Sequence, residues 1–214
     1  YTNLGSVYFQ KGEWDKAIAL YQQALETMKR LGDVQGMAQT YTNLGSVYFQ
    51  KGEWDKAIEF YQQDLAISER LGDVQGMAQT YGNLGNVYAD QKDYQRAVAN
   101  YEQAGQIFDR LGDRVNASAI WTNIGLIHYE QGNLEQAEQL VSKATDVDEK
   151  IDNLEGLMVD MESLSLILEA KGAIQEAIHY REKALEICTM LGHPNTEMNQ
   201  KKLAKLTQQF SEKQ

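Results

Sequence analysis

One asparagine recurs at the same place in a forty-residue word, at Asn3, Asn43, Asn83 and Asn123. A side-chain amide offers both N–H donors and a carbonyl acceptor. A row of such groups suits an extended chain whose own N–H and C=O groups need partners. The other possibility is local: each amide ties one repeat to the next, as short polar side chains commonly do. Acids fall near the same register later in the chain, at Asp90, Glu130, Glu162 and Glu169.

No constellation for covalent, hydrolytic or phosphoryl chemistry accompanies these residues. The sequence has no His-Glu-x-x-His, Cys-x-x-Cys, Gly-x-Ser-x-Gly or phosphate-cradling glycine loop. Gly82-Asn83-Leu84-Gly85 is a helix word with equivalents in the other units. Asp146, Asp148 and Asp152 approach a calcium loop only in density, with Lys150 and Ile151 where a loop needs an oxygen ligand and a glycine. His128, His179 and His193 fall on different helices. His128 stands where earlier units have tyrosine and reads as a satisfied core histidine rather than a ligand. Cys188 has no basic neighbour in sequence and reads as packing. The sequon at Asn116 opens a helix. The chain is therefore read as a non-enzyme with no cofactor and no metal site.

Composition bounds the class further. The chain carries 43% apolar and 24% charged residues, with a net charge of −11. That charge repels a polyanion, and Lys201, Lys202 and Lys205 read as a solvated helix face, so nucleic acid is not an expected partner. No apolar run approaches a membrane span and no signal-like segment opens the sequence. The single cysteine excludes an internal disulfide and fits a reducing compartment, so a cytoplasmic location is expected.

The elements that position these residues come from the repeat. Residues 1–40 match 41–80 at all but seven positions, and weaker copies follow at 81–120, 121–160 and 161–200 without insertion or deletion. In the second copy, Asp33 is placed to cap a helix over roughly 34–51, where Tyr41, Leu44, Val47 and Tyr48 recur at helical spacing. Gly52 ends it. A second helix over roughly 53–71 carries Trp54, Ala57, Ile58, Tyr61, Leu65 and Ser68 on its inner face. Gly45, costly in a helix interior, is explained by close approach of the partner helix, opposite the small Ala57. Leu71-Gly72-Asp73 stops one helix and starts the next. Lys92 replaces a helix-ending glycine, Ile151-Asp152-Asn153 replaces the Leu-Gly-Asp junction, Asp64 replaces an alanine, and Arg181 an aromatic. Pro194 suits a first helical position, so a last, Lys- and Gln-rich helix over 194–210 reads as a terminal cap. The count is about eleven helices in one solenoid over 1–214. Tyr1 aligns with Tyr41, mid-helix, so the chain is expected to begin inside a repeat of a longer protein.

The pattern Tyr41, Leu44, Gly45, Tyr48, Gly52, Trp54, Ala57, Tyr61 resembles the tetratricopeptide repeat. The forty-residue length and Asn-Leu-Gly-Asn/Ser-x-Tyr resemble the long-helix subclass that includes Pins-type adaptors and kinesin light chains. The resemblance implies an all-α, right-handed solenoid of antiparallel helix pairs whose first helices line a concave groove. Aligned on that basis, the groove residues are Asn3, Phe9, Gln39, Asn43, Ser46, Phe49, Gln79, Asn83, Asn86, Asp90, Asn123, Leu126, Tyr129, Glu130 and Glu162, with Thr42, Thr122 and Ser163 beside them. Family members that clamp carboxylates use Lys and Arg on this face; here there are none. The expected partner is a protein or peptide with basic and apolar residues, bound by a scaffold or adaptor. Homo-oligomerisation through the solenoid end, and service as a regulatory or sensor module of a larger signalling protein, are the alternatives.

Overall fold

The computed structural model describes residues 1–212. It contains eleven α-helices and, among the described residues, no strand: α1 (Thr2–Gln10), α2 (Trp14–Leu31), α3 (Val34–Gln50), α4 (Trp54–Leu71), α5 (Val74–Asp90), α6 (Tyr94–Leu111), α7 (Arg114–Glu130), α8 (Leu134–Lys150), α9 (Leu154–Lys171), α10 (Ile174–Leu191) and α11 (Thr196–Glu212). Among the described residues no helix is long and apolar enough to cross a membrane. The cap helix starts at Thr196, and Pro194 lies in the turn before it rather than at its first position.

The chain divides into two compact units, residues 1–107 and the part from Phe108 onward. In the first unit α1 packs on α2 and α3 on α4, with α2 against α3 and α4 against α5, while α1, α3 and α5 also touch in succession. In the second, α7 packs on α8, α8 on α9, α9 on α10 and α10 on α11, and α7 touches α9. Odd-numbered helices thus form one layer of each unit.

Local chemistry sets the boundaries. Asp33, Asp73, Asp113 and Asn153 each accept a hydrogen bond from the backbone N–H three residues on, at 2.9, 2.9, 3.1 and 3.2 Å. These caps satisfy a donor that the first helical turn leaves free. The preceding helix ends in a left-handed residue, as at Gly72 with φ 69°. Two non-glycine residues hold that conformation, Lys92 (φ 59°) and Asp152 (φ 55°), at the two places where the repeat word lost its glycine.

The first four helix pairs each close on a glycine, whereas Ser165 stands at that place in the fifth. A Cβ on Gly45 would stand 2.6 Å from the Tyr61 ring, and one on Gly85 would stand 2.5 Å from the Tyr101 ring. The closest atoms to Gly45 are therefore those of the Tyr61 ring, and at the equivalent Gly125 the Ala137 carbonyl, in the place of Ala57, lies 3.2 Å from such a Cβ. On α4, Ala57, Tyr61 and Ser68 are buried as expected and Trp54, Ile58 and Leu65 are half-buried, while Asp64 and Ile67 join the buried face.

Candidate functional site

The first helix of each pair carries the candidate residues. Asn3 is exposed, and Asn43, Asn83 and Asn123 are half-buried. None of these four amides donates or accepts a side-chain hydrogen bond among the described residues. Side-chain bonds between successive helix pairs are made by Thr80 to Asp64 and by Thr122 to Asp160, and Ser118 bonds Asp148 within one pair. Gln39, Gln79, Asp90 and Glu130 are exposed; Phe9, Phe49, Leu126 and Tyr129 are half-buried. Tyr129 packs against the cluster of Ala137, Val141, Leu164 and Ile167, so its ring is partly structural.

Several expected groove residues are spent inside the helix pairs. Ser46 Oγ shares a hydrogen bond with Tyr61 Oη at 3.1 Å, and Asn86 Oδ1 accepts from Tyr101 Oη at 2.6 Å. These residues hold the second helix rather than present free polar groups. Thr42 donates to Asp64 (2.9 Å) and Thr122 to Asp160 (2.6 Å). Thr122 and Ser163 are buried, so neither lines an open face. Glu162 Oε1 accepts from Asn199 Nδ2 at 2.6 Å, which ties this acid to α11. His128 is half-buried and its Nδ1 has no partner among the described residues, so it is not the satisfied core histidine expected from its alignment with Tyr48.

Buried charge is what the sequence reading missed. Asp64 accepts from the hydroxyls of Thr42, Thr80 and Ser68. Burial raises its carboxyl above the usual range, and the three hydroxyls oppose that rise. One position of the word filled by alanine in the other units was the visible signal. Arg181 is 2% exposed where the first three units place tyrosine. Its guanidinium donates to Ser165 Oγ, Asn199 Oδ1 and the Glu162 carbonyl at 3.2, 2.8 and 3.2 Å. Ser165, in the glycine's place, donates in turn to the Ala177 carbonyl. Cys188 is buried beside Asn199, and burial pushes its thiol up, which suits packing rather than reactivity.

Between α7 and α9 a cavity of about 250 Å³ is lined by Val115, Ala119, Asn123, Val159, Asp148 and Asp160, among others. Asp148 accepts from Ser118 Oγ (2.6 Å) and Asn153 Nδ2 (2.9 Å). Asp160 accepts from Thr122 through Oδ1, and its buried Oδ2 has no partner among the described residues. Burial pushes the Asp160 carboxyl up to about 7, with the Thr122 hydroxyl opposing and Asp148 adding to the rise. No group of three His, Cys, Asp or Glu side chains able to hold a metal ion is present among the described residues.

Comparison with known proteins follows the geometry. The family model described as tetratricopeptide repeat matches residues 1–70 and 76–150. The search of curated proteins gave no match. Among solved structures, BtubC (BKLC) from P. vanneervenii is similar over 90% of this chain and 80% of its own, at 24% identity and a TM-score of 0.76. The nearly identical TPR-like repeats of a putative kinesin light chain from Podosopora anserina are similar over 89% of this chain and 94% of theirs, at 18% identity and a TM-score of 0.71. The Rap conjugation gene regulator of plasmid pLS20, solved in complex with the Phr* peptide, is similar over 88% of this chain and 52% of its own, at 21% identity and a TM-score of 0.73. At these identities the likeness establishes the fold alone.

Proposed function

The chain belongs to the tetratricopeptide repeat family, and from that premise we propose that it is a non-enzymatic scaffold that binds a peptide or helical segment of another protein along the first helices of its repeats. The observation that carries this reading is that the half-buried amides of Asn43 and Asn83 in the first unit, and of Asn123 in the second, make no side-chain hydrogen bond among the described residues. A half-buried amide left without a protein partner is a group that a ligand's backbone can satisfy. The Rap regulator, similar in fold, is a protein solved with a bound peptide, which supports the peptide as a ligand class. Neither Lys nor Arg stands at the aligned face positions, and Glu130 lies near Leu126 and Tyr129 in sequence on α7. The segment is therefore basic and apolar where it meets the second unit. Selection from a displayed peptide library, followed by photo-crosslinking from position 43 or 83, tests the reading. Selected peptides should crosslink to α3 and α5; crosslinks confined to the second helices would end it.

A further inference from the structure

The repeat places a carboxylate at two of its internal junctions, and it does so from different helices. Between the second and third copies it is Asp64 of α4, met by Thr42 of α3 and Thr80 of α5. Between the fourth and fifth copies Ala144 occupies the place of Asp64, and the carboxylate is Asp160 of α9, in the place of Thr80, again met by the α7 threonine, Thr122. The first site is closed, because three hydroxyls converge on Asp64. The second has the Thr122 hydroxyl on Asp160 Oδ1, the Thr145 hydroxyl nearby, an Oδ2 that no donor reaches, and a second buried carboxylate, Asp148, close enough to raise it. No Lys, Arg or His among the described residues forms an ion pair with either acid. Buried carboxylates of this kind call for a positive charge or a proton.

We propose that the cavity between α7 and α9 is a subsite for one cationic group, a guanidinium or primary ammonium, carried by the segment that the first-helix face binds. This rests on the scaffold reading above. The chemistry of the walls matches such a side chain. Val115, Ala119 and Val159 offer apolar surface to an alkyl stem, as long basic side chains require. Asn123, a member of the amide row, lines the same cavity, so the bound backbone and the inserted side chain are read side by side. Glu155 adds a third acid on α9, and the acids of Asp148 and Asp160 form the polar floor. At about 250 Å³ the cavity is below the roughly 300–1,000 Å³ of sites for drug-sized ligands, which suits one side chain. The carboxyls are too few and too enclosed by amides and threonine for a metal-type cluster. A cation above the floor offsets the charge of the buried Asp160 carboxylate, which α7, with no titratable group on this cavity, does not otherwise do.

The test is a titration of the ¹⁵N-labelled chain with N-acetyl-arginine amide and, separately, with its neutral counterpart N-acetyl-citrulline amide. The arginine probe should move the amide signals of Asn123, Gly156 and Val159 with millimolar saturation, and citrulline should not. Asp160→Asn keeps an acceptor for Thr122 and should weaken the arginine probe at least fivefold; Glu155→Gln, which leaves the buried network intact, should weaken it about twofold. Equal shifts from citrulline, or an unchanged affinity in both variants, would overturn the subsite. So would calcium producing the same shifts, since the site would then be one for a metal. The two proposals separate cleanly: a selected peptide that needs Asn43 and Asn83 but tolerates arginine-to-citrulline exchange ends the cation subsite and leaves the scaffold reading standing.

Discussion

Asp160 shows how one side chain carries a measurable consequence. Its carboxyl titrates near 7 in the folded chain, against about 4 when unfolded. The folded state therefore holds a proton that the unfolded state has released across that interval. The stability this confers is fully present below pH 4 and is lost as pH rises through 7. Around the α7–α9 junction, amide exchange should quicken between pH 4 and pH 7, and level off above, after correction for its intrinsic pH dependence. Asp160→Asn should flatten that change; a wild type with no pH response there would contradict the assignment. Asp64, raised by burial but held by three hydroxyls, should respond less. Gly45 gives a second residue-level test. Gly45→Ala puts a methyl against the buried Tyr61 ring and should cost about 1–3 kcal/mol, the usual penalty for overpacking. A neutral result in a denaturant melt would mean that the ring is free to move.

The helix pairs and their junctions were legible in the sequence because each boundary is a local signal. Asp33 caps, Gly72 stops, and Gly45 admits a ring, all within a few residues of where they are read. Even the two defects, Lys92 and Asp152, were visible as departures, and both hold the left-handed backbone that glycine holds elsewhere. The destinations of polar side chains were not legible in the same way. Ser46 and Asn86 turn to the second helix, and Glu162 to the cap, through bonds spanning 15, 15 and 37 residues. The junction carboxylate comes from α4 in one place and α9 in another, so no repeat position predicts it. A left-handed non-glycine residue costs about 1–2 kcal/mol, less for Asp than for most. The Ile151–Asn153 turn, which lacks the glycine, should accordingly exchange its amides faster than Leu71–Asp73. Equal protection at the two turns would show that the caps, not the glycine, set junction stability.

At the scale of the molecule, a repeat array is stabilised by each unit and its neighbours, so a face can change residue by residue without loss of fold. That is how the repeat keeps an amide at Asn43, Asn83 and Asn123 while the flanking position drifts from Ser46 to Leu126. With a net charge of −11 and no cation aligned on that face, association with a basic segment should be faster at low salt, with a smaller effect on affinity. The central claim is that the amide row is the binding surface. It is tested most directly by calorimetry of a selected peptide with the wild type and with Asn43→Ala, Asn83→Ala and Asn123→Ala combined. Three lost amide contacts at about 1 kcal/mol each should weaken binding by about two orders of magnitude, with helicity and melting unchanged. Unchanged affinity, or a triple variant that unfolds, would contradict the claim and return those asparagines to a role within the fold.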